Sequence, residues 1–143
     1  MKILALGNSF SEDATAYLEG IAPTLYVRNL HIAGCSLETH AAHLAAGDPA
    51  YVWEEHARAI TPERVSANDK IGGERWDVIT VQQASSLSGI PGSYEPHLTR
   101  VLDAIGALCP EARIVFHETW AYAADSNHAE FYRYHNDRGE MAH

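Results

Sequence analysis

The sequence predicts an α/β fold, a three-layer α/β/α sandwich in which helices cover both faces of a mainly parallel sheet. Three observations support this prediction. Short apolar runs typical of buried strands recur along the chain, segments of helical composition or periodicity separate them, and glycine or proline follows several of these segments. Strands and helices that alternate in this way are typical of parallel sheets, because parallel neighbours need a crossover connection.

The predicted elements follow the order β-α-β-α-insert-β-α-β-α. Strands are expected at residues 2–6, 25–33, 76–81 and 112–117, and helices at 12–22, 37–46, 93–108 and 128–142. The helix at 93–108 is amphipathic, since five apolar residues share one face: Leu98, Val101, Leu102, Ile105 and Leu108. Residues 50–75 are expected to form an insert, with a candidate helix at 51–60 and a polar excursion or small hairpin at 65–75.

Length and composition indicate one soluble globular domain that spans residues 1–143. The chain is 46% hydrophobic and 20% charged, with a formal net charge of −9. This acidic balance argues against nucleic-acid and anionic-membrane partners, because both require a basic face. The apolar run at 3–6 is too short for a secretory signal, and no run approaches the ~18–20 apolar residues of a membrane span. Two cysteines make no disulfide framework, so a cytoplasmic protein of undetermined oligomeric state is expected.

Ligands of parallel sheets bind beyond the carboxyl ends of the strands, so the loops after the strands carry the candidate residues. Ser9 lies between the first strand and the first helix, where its hydroxyl is exposed and its N–H is near the positive end of a helix. The alternative for Ser9 is a helix cap or a phosphate-binding turn. Gly34 can offer an unobstructed N–H to an oxyanion, or is a plain turn glycine. Gln82 and Gln83 end an apolar strand, and their side-chain amides can donate to an oxyanion. The alternative is that they cap and solvate the loop.

These loops resemble those of the SGNH (GDSL-type) hydrolase superfamily. GNSFS at 7–11 resembles its block I, with Asn8 where aspartate is more usual, and Gly34 matches the oxyanion glycine of block II. WDVITVQQASSLSG at 76–89 lies where block III belongs but lacks the usual Gly-x-Asn. The likeness covers almost the whole chain and is to a poorly characterised bacterial branch that shares four stretches: 7–14, 34–38, 77–85 and 119–122.

The resemblance implies a flavodoxin-like SGNH hydrolase fold and hydrolysis of a small ester, with deacetylation of a carbohydrate-like substrate as the implied class. Ser9 would form the acyl-enzyme, and the N–H groups of Ser9 and Gly34 would hold the oxyanion. An amide from Gln82 or Gln83 would replace the asparagine of block III. Because side chains alternate along a strand, only one of the two is expected to point into the site, and we choose Gln83. The substrate pocket is expected to involve five further residues: Asn8, Phe10, Ser85, Trp120 and Tyr122. Core packing is the alternative for the two aromatic residues at 120 and 122.

The general base is the missing part of this expectation. A serine nucleophile needs a histidine oriented by a carboxylate, and in the superfamily both follow the final strand as Asp-x-x-His. This chain shows no such strand, so we expect a C-terminally truncated fragment. One in-chain candidate, Asp125 with His128, reads as Asp-x-x-His one strand too early, and its alternative is a surface cap.

Other site classes are weaker. His40 and His43 share a predicted helix face, but a zinc site would need Asp48 or Glu38 as well, so no metal and no cofactor are expected. Four histidines show no constellation: His31, His56, His97 and His135. Cys35 is interpreted as a small buried hydrophobe. Two further functions stay open: a catalytically incompetent module of the same fold that binds a small anion or sugar, and a flavodoxin-like nucleotide-binding domain, for which the first loop has too few glycines.

Overall fold

The computed structural model describes residues 1–55 and 59–142 as a mixed α/β fold around one five-stranded sheet. The strands are β1 (Lys2–Gly7), β2 (Tyr26–His31), β3 (Val52–Glu54), β4 (Val78–Val81) and β5 (Arg113–Phe116). Their order across the sheet is β3-β2-β1-β4-β5, with β3 antiparallel to β2 and the other neighbours parallel. The prediction of a mainly parallel sheet is therefore confirmed.

The described helices are α1 (Ser9–Thr15), α2 (Leu18–Ile21), α3 (Leu37–Ala46), α4 (Ala67–Gly72), α5 (His97–Leu108) and α6 (Arg138–Met141). Helix α3 has the predicted bounds, because the Ser36 hydroxyl caps its start and Gly47, at φ +66°, ends it in the left-handed conformation. None of the helices in the described ranges has the length and apolar character needed to span a bilayer.

Three predicted helices are wrong in their bounds. The helix expected at 12–22 starts earlier, because Asn8 rather than Ser11 or Asp13 caps it, and it breaks into α1 and α2. The helix expected at 93–108 begins only at 97, since Pro96 disfavours helical backbone in the residue before it. The helix expected at 128–142 is a 3₁₀ turn at Phe131–Tyr134 followed by α6, because His135 and Asn136 adopt positive φ between them.

The insert at 50–75 contains both a strand and a helix. The helix expected from residue 51 is wrong, because Val52–Glu54 forms β3 and pairs Trp53 with Leu30 of β2. Tyr51 and Trp53 alternate as buried side chains, which is the periodicity of a strand. Residues 56–58 of that expected helix lie outside the described residues. The polar excursion expected at 65–75 contains α4.

The main core lies between the sheet and the group of helices α3, α4 and α5, which pack against one another. Trp76 is fully buried and Trp53 nearly so, and their rings meet edge to face with centroids 6.5 Å apart. At ~25 cal/mol per Å² of apolar surface, burial of such large side chains contributes much of the folding free energy.

The register of the sheet brings the strand ends to one level. Gly7 of β1 pairs with His31 of β2, and Val81 of β4 pairs with Leu6 on one side and Phe116 on the other. The chain segments that follow these four parallel strands therefore meet at one edge of the sheet.

Candidate active site

A cavity of about 570 Å³ lies at this edge, between the loops that follow the strands. Its lining includes seven of the residues singled out from the sequence: Asn8, Ser9, Phe10, Gly34, Ser85, Tyr122 and His128. The remaining four, Gln82, Gln83, Asp125 and Trp120, do not line this cavity. Its volume is in the range of small-molecule sites.

Ser9 and Gly34 line this cavity and have polar groups without hydrogen-bond partners in the described residues. Ser9 is exposed as the first residue of α1, and neither its hydroxyl nor its N–H has a hydrogen-bond partner within residues 1–55 and 59–142. Gly34 adopts φ +66°, and its N–H likewise finds no acceptor in the part of the chain that the structure describes. Two residues with unbonded backbone N–H groups, one of which also has an unbonded hydroxyl, thus line one cavity.

Asn8 connects the three loops beneath the cavity. Its side chain, in a residue only 1% exposed, donates from Nδ2 to the carbonyl oxygens of Cys35 at 3.0 Å and Gln83 at 3.5 Å. Its Oδ1 accepts from the Phe10 N–H at 3.1 Å and from the Gln82 amide. Because protein groups use all four of its hydrogen-bonding positions, Asn8 positions the loops and has none left for a substrate.

Both glutamines serve the loops rather than the cavity. Gln83 Oε1 accepts from the N–H of Leu37 at 3.0 Å, and Gln83 Nε2 donates to the carbonyl of Ser93 at 3.0 Å. Gln82 Nε2 donates to Asn8, while Gln82 Oε1 is buried without a partner in the described residues. A Cβ on Gly7 would lie 2.7 Å from that Oε1, so a larger residue there would force the Gln82 amide to shift. The amide expected to bind an oxyanion is thus already engaged, and the loop-capping alternative describes Gln83.

His128 lines the cavity, but the geometry of its ring does not match that of a general base. The ring stacks on Tyr122 with centroids 4.5 Å apart, and Nδ1 accepts the N–H of Glu130 at 3.2 Å. His128 would therefore have to release the Glu130 N–H, or turn its ring, before it could take a proton from Ser9. Asp125 is exposed and makes no hydrogen bond to His128, whose own N–H donates to Ser126 Oγ at 3.2 Å.

Aromatic side chains form part of the cavity wall. The Tyr122 hydroxyl and Ser85 Oγ are 2.9 Å apart, and the Tyr122 ring packs edge-on against Phe131. Trp120 is 61% exposed, contacts Phe10 with ring centroids 5.0 Å apart, and lines a neighbouring cavity of about 370 Å³. Tyr122 therefore combines pocket lining with core packing, whereas Trp120 is outside the core.

The structure also defines the surroundings of Cys35, His40 and His43. Burial raises the pKa of Cys35 to about 12, so its thiol is neutral at physiological pH. His40 is buried with Nδ1 3.0 Å from the Tyr51 hydroxyl, whereas His43 pairs with Asp48 at 2.9 Å. The two helix histidines thus have different partners.

Sequence reasoning missed a cluster around His31. Its Nε2 lies 3.8 Å from a Glu12 carboxylate oxygen, and its Nδ1 lies 3.7 Å from one of Glu54. The position of His31 at the end of a strand was a usable signal, but Glu54 belongs to the segment expected to be helical. A helix at that point gives no reason to place Glu54 beside His31.

Comparison with known proteins places the chain in a family. Residues 2–143 match a family described as Domain of unknown function (DUF4886). The chain is similar to a DUF4886 family protein from Bacteroides uniformis ATCC 8492, whose crystal structure was determined at 1.50 Å, with 37% identity and a TM-score of 0.87. The match covers 99% of this chain and 58% of that one. No curated protein matches it. This chain belongs to the DUF4886 family.

Proposed function

We propose that this chain carries the nucleophile and oxyanion-binding groups of a serine hydrolase that cleaves a small ester. One observation carries the proposal: an exposed serine hydroxyl without a hydrogen-bond partner in the described residues shares a cavity with the N–H of Gly34. The order of the loops and the mainly parallel sheet support the further proposal that the domain has the three-layer architecture of SGNH hydrolases.

The chemistry assigned to these groups is acyl transfer. Ser9 Oγ attacks the ester carbonyl carbon, a base takes the hydroxyl proton, and the carbonyl oxygen becomes an oxyanion. The candidate base in this cavity is His128, once its ring has released the Glu130 N–H. The N–H groups of Ser9 and Gly34 donate to that oxyanion. Its collapse breaks the bond to the alcohol, which leaves with a proton, and water then hydrolyses the acyl-serine to release the acid.

The cavity wall suggests the substrate class. Phe10 and Tyr122 offer aromatic faces, whereas the side chains of Ser85 and Tyr122 carry hydroxyls within the same 570 Å³. Such a mixture suits a small acyl group on a polyhydroxylated alcohol, because aromatic faces pack on sugar C–H groups and hydroxyls exchange hydrogen bonds with sugar hydroxyls. We therefore propose deacetylation of a carbohydrate-like ester.

A second candidate is a binding module for a small anion or sugar. The observation that favours it is the bond from the Glu130 N–H to His128 Nδ1, which occupies one ring nitrogen of the candidate base. In that case, the Ser9 hydroxyl and the two N–H groups would bind a ligand without attacking it.

Hydrolysis of p-nitrophenyl acetate separates the two functions. If the chain is a serine hydrolase, Ser9→Ala is expected to abolish turnover and Ser86→Ala to retain it. Ser86 is the control because it lines the same cavity but does not follow β1. Turnover that survives in His128→Ala excludes His128 as the base. A folded wild-type chain with no turnover above Ser9→Ala contradicts the hydrolase proposal for this chain and favours the binding module.

A further inference from the structure

Three potential metal ligands meet where α1, β2 and β3 come together. Glu12 is on α1, His31 ends β2 and Glu54 ends β3. One ligand atom from each of the three lies within 4.8 Å of the other two. The three residues are far apart in the sequence and belong to three different elements. The fold therefore brings them together.

Two of these side chains are buried with polar atoms that lack a partner. Glu54 is 4% exposed, and its Oε1 has no hydrogen bond among the described residues. His31 Nδ1 is also buried without one, because its 3.7 Å separation from the other Glu54 oxygen exceeds hydrogen-bond range. A buried carboxylate is costly unless it is paired or coordinates a metal, so these atoms call for a ligand.

The spacing of the atoms suits a single ion. Histidine nitrogens and carboxylate oxygens bind zinc at about 2.0–2.2 Å, so two atoms on one such ion lie about 3.4 Å apart at a tetrahedral angle and about 4.2 Å apart when opposite. The separations of 3.8 Å to Glu12 and 3.7 Å to Glu54 start from the two different ring nitrogens of His31, of which a single ion would use one. With one ligand atom taken from each residue, the three atoms lie within 4.8 Å of one another, slightly beyond this range. Small side-chain rotations would bring one atom of each residue onto a common ion.

A chain of hydrogen bonds orients the buried carboxylate. Asn29 Nδ2 donates to Glu54 Oε2 at 2.6 Å, and Asn29 Oδ1 accepts from Ser11 Oγ, which lies 2.9 Å away. Ser11 Oγ is also 2.8 Å from the carbonyl oxygen of Asn8, next to Ser9. Outer hydrogen bonds of this kind fix ligand geometry in metal sites.

We propose that Glu12, His31 and Glu54 bind a divalent transition-metal ion, of the class that accepts imidazole and carboxylate together, such as Zn²⁺ or Mn²⁺. Mixed nitrogen and oxygen ligands disfavour Mg²⁺ and Ca²⁺, which take oxygen ligands. The ion connects α1 to β2 and β3 and so fixes the helix on which Ser9 lies. The site stands independently of the esterase proposal, since none of its three ligands lines the Ser9 cavity.

The test is calorimetric titration of chelator-treated protein with Zn²⁺ alone, together with the shift in melting temperature that Zn²⁺ causes. Loss of an outer hydrogen-bond partner typically weakens metal binding 10–100-fold, so Glu54→Gln, which removes a ligand, is expected to weaken it by at least ~100-fold. Glu54→Gln keeps the size of the side chain and removes a buried charge, so the fold is expected to persist. Glu12→Gln alters a partly exposed side chain and provides the same test if Glu54→Gln fails to fold.

His43→Gln is the matched control, because His43 and Asp48 form another histidine–carboxylate pair outside the cluster. It is expected to leave Zn²⁺ affinity within about twofold of wild type, and Mg²⁺ is expected to give no melting shift. Wild-type protein that binds no Zn²⁺ would make the cluster a set of histidine–carboxylate contacts only and overturn the proposal. Equal affinity in wild type and both glutamine variants would overturn it as well.

Discussion

Asn8 Nδ2 donates a hydrogen bond to the carbonyl oxygen of Cys35 at 3.0 Å, which connects the loop after β1 to the loop after β2. The same nitrogen lies 3.5 Å from the carbonyl oxygen of Gln83 in the third loop. The donor is essential at this position, because both partners are acceptors. An aspartate, which is the more usual residue in the motif that GNSFS resembles, has no donor there when ionised.

Asn8→Asp is therefore expected to destabilise the protein by about 1–3 kcal/mol at pH 7, the range for a buried polar group left unsatisfied. The measurement is urea unfolding followed by circular dichroism. Asn127→Asp makes the same chemical change at an exposed residue and is expected to have little effect. Equal stability of the two variants would show that the donor to Cys35 is unimportant.

Gly34→Ala and Gly47→Ala form a matched pair, because both glycines have φ +66°. An alanine Cβ at Gly34 meets no atom within 4 Å, and at Gly47 the nearest atom is 3.4 Å away. Each substitution is expected to cost about 1–2 kcal/mol through the left-handed backbone alone. Only Gly34→Ala is expected to lower ester hydrolysis, because Gly34 lines the cavity and the N–H proposed to bind the oxyanion moves if the backbone relaxes. Equal activity in the two variants would remove Gly34 from the oxyanion site.

His40 is expected to make stability depend on pH. Burial, with a smaller contribution from His43, lowers the pKa of His40 to about 3 from its ordinary value of 6.5. Between these values the unfolded chain binds a proton that the native state excludes. Stability is thus complete above pH 6.5 and falls as the pH drops towards 3, by about 2 kcal/mol between pH 7 and pH 5. His40→Gln is expected to show a smaller loss over the same interval in urea unfolding. An unchanged loss would assign the pH dependence to other groups.

The parallel part of the fold followed from local patterns. Apolar runs at β1, β4 and β5 are short and uninterrupted, and Ser36 and Gly47 mark the two ends of α3 with their own capping chemistry. Once the strands were assigned, the rule that ligands bind at their carboxyl ends was enough to place Ser9 and Gly34 at one edge.

What failed from the sequence depends on long-range contacts. Gln83 faces the start of α3 and Ser93, and no local pattern shows that its amide is already engaged. The edge strand β3 is three residues long and was overlooked, and with it the approach of Glu54 to His31. Such pairings arise from packing between distant segments, which hydrophobic periodicity does not record.

Labelling with a fluorophosphonate probe, followed by peptide mass spectrometry, tests the central claim most directly. The probe reacts with an activated serine hydroxyl, and the account predicts one adduct, on Ser9, that is lost in Ser9→Ala and retained in Ser86→Ala. Circular dichroism confirms that each variant is folded. A folded wild-type chain that takes up no probe, or an adduct on any serine other than Ser9, would contradict the assignment of Ser9 as the nucleophile.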